Sequence, residues 1–242
     1  MNIESAAINI LKRGVELDTK KRYTEALVCY QEGLQILVDK MKGEIDDAAR
    51  CYLRKKVEEY MNRAETIKKM VLQQKEAGQF HEQVYIENNS TGHSYKTLFG
   101  RFLDEDVQFV LVEDPYVRSF HQCQNFLRVC ELLVRSCSNL RYIELLTSRD
   151  SKTSHDQQQW FNNLENDLKR YRINLEVKYS ETLHDRQITL STGWIIKIGR
   201  GLDFFKAPDN KFCLGVYDLD LRQCHETTVD IFHSKNVKQS YG

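Results

Sequence analysis

The stretch AINILKRGVELDTKKRYTEALVCYQEGLQIL, residues 7–37, carries the pattern on which the rest of the chain turns. Ala7, Ile10, Leu11 and Val15 recur at helical spacing beside the small Gly14, and Asp18 to Arg22 reads as a turn. Ala26, Leu27, Tyr30, Leu34, Leu37, Val38 and Met41 then recur at intervals of three and four, an amphipathic second helix with Thr24 in its first turn. Gly43 predicts its end, and Asp46 or Asp47 can cap a third helix. At ~100° per residue, Leu53, Val57, Tyr60, Ala64, Ile67 and Val71 fall in one stripe roughly 80° wide, enough to close a three-helix bundle. Met61 lies about 80° off the stripe centre by the same count, at a rim flanked by Glu58, Glu65 and Lys68. One reading is a methionine covering the bundle edge. The other is the floor of a groove between the second and third helices, since helix-in-groove recognition needs an apolar anchor with a polar rim.

Residues 1–80 contain neither a proline nor a strand pattern, and both prolines, Pro115 and Pro208, lie further on. The polar segment 75–91 carries Gly78, Asn88, Asn89 and Ser90 and reads as a helix end followed by a linker, residues 81–91. Beyond it the period changes. Val107–Val112 and Tyr142–Leu146 read as strands, Phe120–Val134 and Gln157–Tyr171 as helices, and Leu175–Tyr179 as a further strand. This alternation predicts βαβ units and a parallel sheet. Gln187–Leu190, the turn Ser191-Thr192-Gly193 and Trp194–Ile198 read as a hairpin, which makes the sheet mixed. The expected fold class is therefore α plus α/β, a three-helix bundle over 1–80 and an α/β domain with a mixed sheet over 92–242.

Composition narrows the partners. A hydrophobic fraction of 41% and a charged fraction of 29% suit a packed globular chain and exclude a largely disordered one. Lys and Arg number 35 against 35 Asp and Glu, so the net charge is zero and no global nucleic-acid footprint exists. An anionic partner must be met by a local patch. No apolar run is long enough to span a bilayer, and the N-terminal stretch lacks the form of a secretory signal. Seven scattered cysteines without a CxxC pair predict reduced thiols in a cytoplasmic protein, with no metal or disulfide framework and no cofactor.

Three groups of residues are chemical candidates. Loops at the carboxyl ends of strands offer Glu113-Asp114, Thr147-Ser148 and His184-Asp185-Arg186. A histidine beside an acid and a cation can attack a phosphate ester, the arginine holding its oxygens; a surface loop with one hydrogen-bonded histidine is the alternative. Lys197, Arg200, Lys206 and Lys211 are interleaved with Trp194, Phe204, Phe205 and Phe212, and Gly199 and Gly201 allow close backbone approach. That set is either a solvated glycine turn or a surface where cations and rim aromatics meet anionic lipid. Tyr116, Arg118 and His225-Glu226-Thr227-Thr228 stand out as polar groups amid apolar ones, without an assigned role.

Residues 7–37 together with KVEEYMNRAETIKK, residues 56–69, resemble the MIT (microtubule-interacting and trafficking) family. The residues that carry the resemblance are Leu17-Asp18, Arg22-Tyr23, Glu25-Ala26-Leu27, Tyr30, Gly33, Glu59-Tyr60 and Arg63-Ala64-Glu65. The resemblance implies binding to C-terminal helical motifs of ESCRT-III subunits, the charged multivesicular body proteins. In the groove between helices two and three, Met61, Ala64, Glu65 and Lys68 would line the site, joined by Tyr30, Leu34 and Leu37. A second mode, between helices one and three, stays open.

HSYKTLFGRFL, EDPYVR, HDRQI, GWIIKIGRGLDFF and CHETTVDIFH are similar to the phospholipase D-like domain that follows an MIT domain in one family of proteins. That resemblance implies a homodimer that binds anionic phospholipid membrane through Lys197, Arg200, Lys206, Lys211 and Arg186. It also implies a role in cytokinetic abscission and protein transport, at the midbody and on late endosomes. Phospholipase D chemistry uses His-x-Lys with an acid beyond it. Here His184-Asp185-Arg186 has arginine for lysine, Ser191 stands in the acid position, and His93-Ser94-Tyr95-Lys96 has the wrong spacing. The expectation is a non-catalytic adaptor. The alternative is a phosphodiesterase using His184 and Arg186.

Overall fold

The structure, a computed structural model, describes residues 3–149 and 154–234; the end of the expected second domain, 235–242, lies outside the described residues. The chain divides into two compact units, Met1–Glu82 and Gln83–Gly242.

The first unit is a three-helix bundle of α1 (Ile3–Thr19), α2 (Tyr23–Gly43) and α3 (Asp47–Glu76). Of the two candidate caps, Asp46 starts α3, its carboxylate accepting the Ala48 and Ala49 amides. Small residues let α1 and α2 approach closely. A Cβ at Gly33 would fall 2.6 Å from Leu11 Cγ, and one at Gly14 would fall 3.1 Å from the Tyr30 ring. Ala7, Leu11, Ala26, Tyr30, Leu37, Leu53 and Ile67 are buried between the helices.

One polar contact ties all three helices. Arg63 of α3 donates Nε and Nη2 to the two Asp18 oxygens at the end of α1, each at 2.7 Å. The Tyr30 hydroxyl of α2 donates to the same carboxylate at 3.2 Å. Hydrogen bonding and charge from Arg63 hold the Asp18 carboxyl below its ordinary value against the opposing effect of burial. Burial, then Asp18, push the Tyr30 phenol up to about 12.

The second unit is built on a seven-stranded mixed sheet. Its strands are β1 (His81–Ile86, whose first two residues precede the boundary), β2 (Phe109–Glu113), β3 (Tyr142–Thr147), β4 (Asn174–Tyr179), β5 (Gln187–Leu190), β6 (Trp194–Ile198) and β7 (Thr227–His233), in the order β1-β7-β6-β5-β2-β3-β4. β2, β3 and β4 run parallel, whereas β5, β6 and β7 continue antiparallel from β2. The parallel connections are α5 (Phe120–Ser136) and α6 (Ser154–Arg170), and a short α4 (Tyr95–Phe99) precedes β2. Alternate strand residues Val110, Val112, Ile143, Leu145, Ile188, Ile196 and Ile231 are buried, as are Phe126, Val129 and Leu133 of α5 and Phe161 of α6. Three off-phase residues of β3 and β4 instead form a polar set, in which Lys178 bridges Glu144 at 3.0 Å and Glu176 at 3.4 Å.

One sequence expectation changes here, and one strand is added where no element had been read. Residues 81–91 were expected as a linker, but HEQVYI within them forms β1, exposed and buried in strict alternation. TTVDIFH likewise pairs with β6 as β7 and alternates along its length. Both strands bury only every second residue, so their composition is half polar and the apolar signal is weak.

Candidate functional site

In the bundle, Met61 is 53% exposed, Glu65 and Lys68 are exposed, and Ala64 is half-buried beside them on α3. Leu34 of α2 is also half-buried. Tyr30 and Leu37 are corrected: both are buried in the bundle core, at 1% and 5% exposure, and cannot line a groove. Tyr30 instead stacks 6.0 Å from the Tyr60 ring and bonds Asp18. The available surface on α3 is therefore Met61 and Ala64 bordered by Glu65 and Lys68, and on α2 the half-buried Leu34.

In the second unit a cleft of about 340 Å³ is lined by Tyr116, Gln122, Arg186, Gly199, Arg200 and Asp203. It opens where β2 ends, β5 begins and β6 ends. Arg186 donates Nη1 to the Gly199 carbonyl at 2.8 Å and Nη2 to the Tyr116 hydroxyl at 3.4 Å, and its guanidinium lies 4.9 Å over the Tyr116 ring. Arg118 covers the same ring at 5.3 Å, so two cations hold this tyrosine. The Arg186 Nε is buried without a hydrogen-bond partner among the described residues.

Two aspartates brace the surrounding loops, and of the two Asp203 lines the cleft. Asp114, 2% exposed, accepts the Tyr116 amide at 2.9 Å and the Leu202 amide at 2.7 Å. Burial pushes its carboxyl up despite those two bonds. Asp203 gathers Asn125 Nδ2 at 3.0 Å and Gln122 Nε2 and His121 Nε2 at 3.2 Å each. Gln122 also closes the capping box of α5 with Ser119. The roles of Tyr116 and Asp203 depend on partners about 70 to 80 residues away, a separation no short motif expresses.

The predicted site residues separate into groups. Arg186 and Arg200 share the cleft. Arg200 and Lys206 both act on His225, whose imidazole is held below its ordinary value by burial first and then by these two cations. Lys197 lies elsewhere on β6, 5.8 Å over the Phe232 ring and 4.0 Å from Asp185. Lys211 is exposed in the loop 207–217. The rim aromatics are corrected: Trp194, Phe204 and Phe205 are buried, and only Phe212 is exposed. β6 alternation turns Trp194 inward with Ile196 and Ile198, while Phe204 and Phe205 pack edge-on against Tyr95 at 5.9 Å and 5.3 Å.

His184 is exposed and does not line the cleft. Ser191 lies past the far end of four-residue β5, where its hydroxyl accepts the Gln108 amide at 2.9 Å. Ser148 and Glu113 are also engaged, with Pro115 and Gln187 respectively. Among the described residues no group of His, Cys, Asp and Glu forms a metal site, and no helix is long and apolar enough to cross a membrane.

Residues 92–233 match the family described as phospholipase D-like domain at C-terminus of MIT, and residues 4–69 match the MIT (microtubule interacting and transport) domain. The chain belongs to this MIT and phospholipase D-like family. A relative from Mus musculus, MIT domain-containing protein 1, is 50% identical over 236 residues, covering 97% of this chain and 95% of its own length. Within the family frame, the bundle is the MIT domain and the mixed-sheet unit is the phospholipase D-like domain. Asp18, Tyr30 and Arg63, which carried the MIT resemblance, are the groups that tie the MIT helices together. The His184 to Arg186 segment borders the phospholipase D-like cleft, and only its arginine reaches in.

Proposed function

We propose that this chain is a non-catalytic adaptor. Its MIT domain docks C-terminal helical motifs of ESCRT-III subunits, and its phospholipase D-like domain, as a homodimer, holds anionic membrane. The adaptor works in cytokinetic abscission at the midbody and in transport on late endosomes. The observation that carries this reading is the cleft around Arg186. It keeps two arginines, but its lining includes no histidine, and the Arg186 guanidinium is already bonded to Gly199 and Tyr116. A cationic pocket without a histidine suits retention of a phosphate better than its displacement.

The exposed Met61 beside Ala64, with Glu65 and Lys68 on its border, supports docking of an amphipathic helix. Two weak grooves and two cationic surfaces per dimer become avid wherever subunit tails and anionic lipid are presented together at high density. The test has three arms on the full chain. Met61→Asp weakens binding of an ESCRT-III tail peptide by at least about tenfold, because a charge then faces the apolar side of the incoming helix. Joint neutralisation of Lys197, Arg200 and Lys206 removes co-sedimentation with phosphatidylserine-containing vesicles, and His184→Ala leaves it intact. Phosphoester hydrolysis that disappears in His184→Ala would replace the adaptor with a phosphodiesterase.

A further inference from the structure

Three large apolar side chains stand in solvent within six residues of one loop. Phe212 is 100% exposed, Leu214 83% and Tyr217 93%. The loop, residues 207–217, is firmly rooted. Arg222, itself buried, donates to the Gly215 carbonyl, to the Val216 carbonyl at 2.9 Å and to the Lys206 carbonyl at 3.3 Å, clasping both ends. The Lys206 amide donates to the Gln223 carbonyl at 2.8 Å, and Phe205 bridges Cys224. The tip is a turn of its own: Asn210 Oδ1 accepts the Phe212 amide at 2.8 Å, and the Val216 amide returns to the Cys213 carbonyl at 3.4 Å. Gly215 has φ +82°, and a Cβ there would fall 2.8 Å from the Leu221 carbonyl oxygen, so the crossing at the base admits only glycine. The backbone thus secures the loop at its base while its apolar side chains face water.

We propose that the 207–217 loop is a membrane-insertion loop: Phe212 and Leu214 enter the boundary between headgroups and acyl chains, Tyr217 rests at headgroup level, and Lys206 and Lys211 meet anionic headgroups. This deepens the membrane-binding reading and rests on it. The chemistry is that of an interfacial anchor, apolar groups on a protruding tip with cations beside them. Arg200, which acts on His225 together with Lys206, places further positive charge near the root of the loop. A protein partner fits less well. Three exposed side chains offer on the order of 500 Å², below the roughly 800 Å² each partner contributes to a stable interface.

The experiment compares the full chain with Phe212→Ser/Leu214→Ser on vesicles of phosphatidylcholine with phosphatidylserine, in low and raised salt. Phe212→Trp is examined on the same vesicles containing bromine-labelled acyl chains. The double variant is expected to bind about tenfold or more weakly, and to lose the binding that survives raised salt. The new tryptophan is expected to be quenched by bromolipid beyond any quenching of the parent's Trp160 and Trp194. Parent binding with an unaffected double variant and no added quenching would overturn insertion while leaving the cationic surface in place. A parent that binds no vesicle would overturn both. A double variant of lower solution mass than the parent by light scattering would make the loop a contact with a second copy, and would overturn insertion too.

Discussion

Replacing Arg63 with alanine removes two 2.7 Å bonds to Asp18 and leaves that carboxylate with only the Tyr30 hydroxyl at 3.2 Å. Charged hydrogen bonds of this geometry contribute about 1.5–3 kcal/mol. The Arg63 side chain is 45% exposed while that of Asp18 is 11% exposed, so water screens one side of the pair. Discounting for that screening leaves about 1–2 kcal/mol. The loss should fall on all three helices, because the carboxylate is held by residues of two of them. Amide hydrogen exchange of residues 5–76 in the full chain, across a urea series, reads this directly. Asp18→Asn should cost a similar amount, and the double variant little more than either single one, giving a coupling of about 1 kcal/mol. The pH dependence has a definite sign. A depressed native carboxyl stabilises fully above the unfolded value of 3.8, and the contribution is lost as pH falls below that through the lower native value. Arg63→Ala should remove this acid sensitivity. Exchange unchanged to within a few tenths of a kcal/mol, or additive single losses, would refute the tie.

Two further outcomes follow from the cleft. Gly201 has φ +67°, and a Cβ there would fall 2.2 Å from Asp114 Oδ2, so Gly201→Ala should cost about 2–3 kcal/mol, seen as a lower melting temperature, by combining left-handed strain with the lost Leu202 bond. An unchanged melt would show that Asp114 moves aside freely. His225 is held low by burial, Arg200 and Lys206, with Asp203 opposing. An anionic headgroup between those cations offsets them and raises the imidazole, so vesicle binding should tighten as pH falls through the histidine range. The gain is up to about tenfold for each unit of rise. Co-sedimentation across that range should lose the trend in His225→Gln, and a trend that persists there would assign it to another group.

Much of the architecture was open to reading because it rests on local periodicity. The three- and four-residue spacing from Ala26 to Met41 needs no partner to be recognised, and the resulting α2 spans Tyr23–Gly43. The β5–β6 hairpin was equally visible, with Gly193 in the turn and strands Gln187–Leu190 and Trp194–Ile198 on either side. β1 escaped because HEQVYI is half polar and runs into Asn88-Asn89-Ser90, which signals a loop. Met61 emerged correctly as a rim residue from angular arithmetic on one helix. Tyr30 and Leu37 did not, because a residue on an apolar stripe can face either the core or the edge of that stripe.

Residue order therefore specified the helices, the strand–helix alternation, the zero net charge and the family, since each is written in neighbours a few positions apart. Folding alone brought Asp18 to Arg63, Asp203 to Asn125, and Arg186 to Tyr116. It also turned Trp194, Phe204 and Phe205 inward while leaving Phe212 outside. The physical reason is the same in each case. Burial and polar pairing are properties of surfaces that meet across the fold, and one side chain's hydrophobicity is the same number whether the packing covers it or leaves it in water.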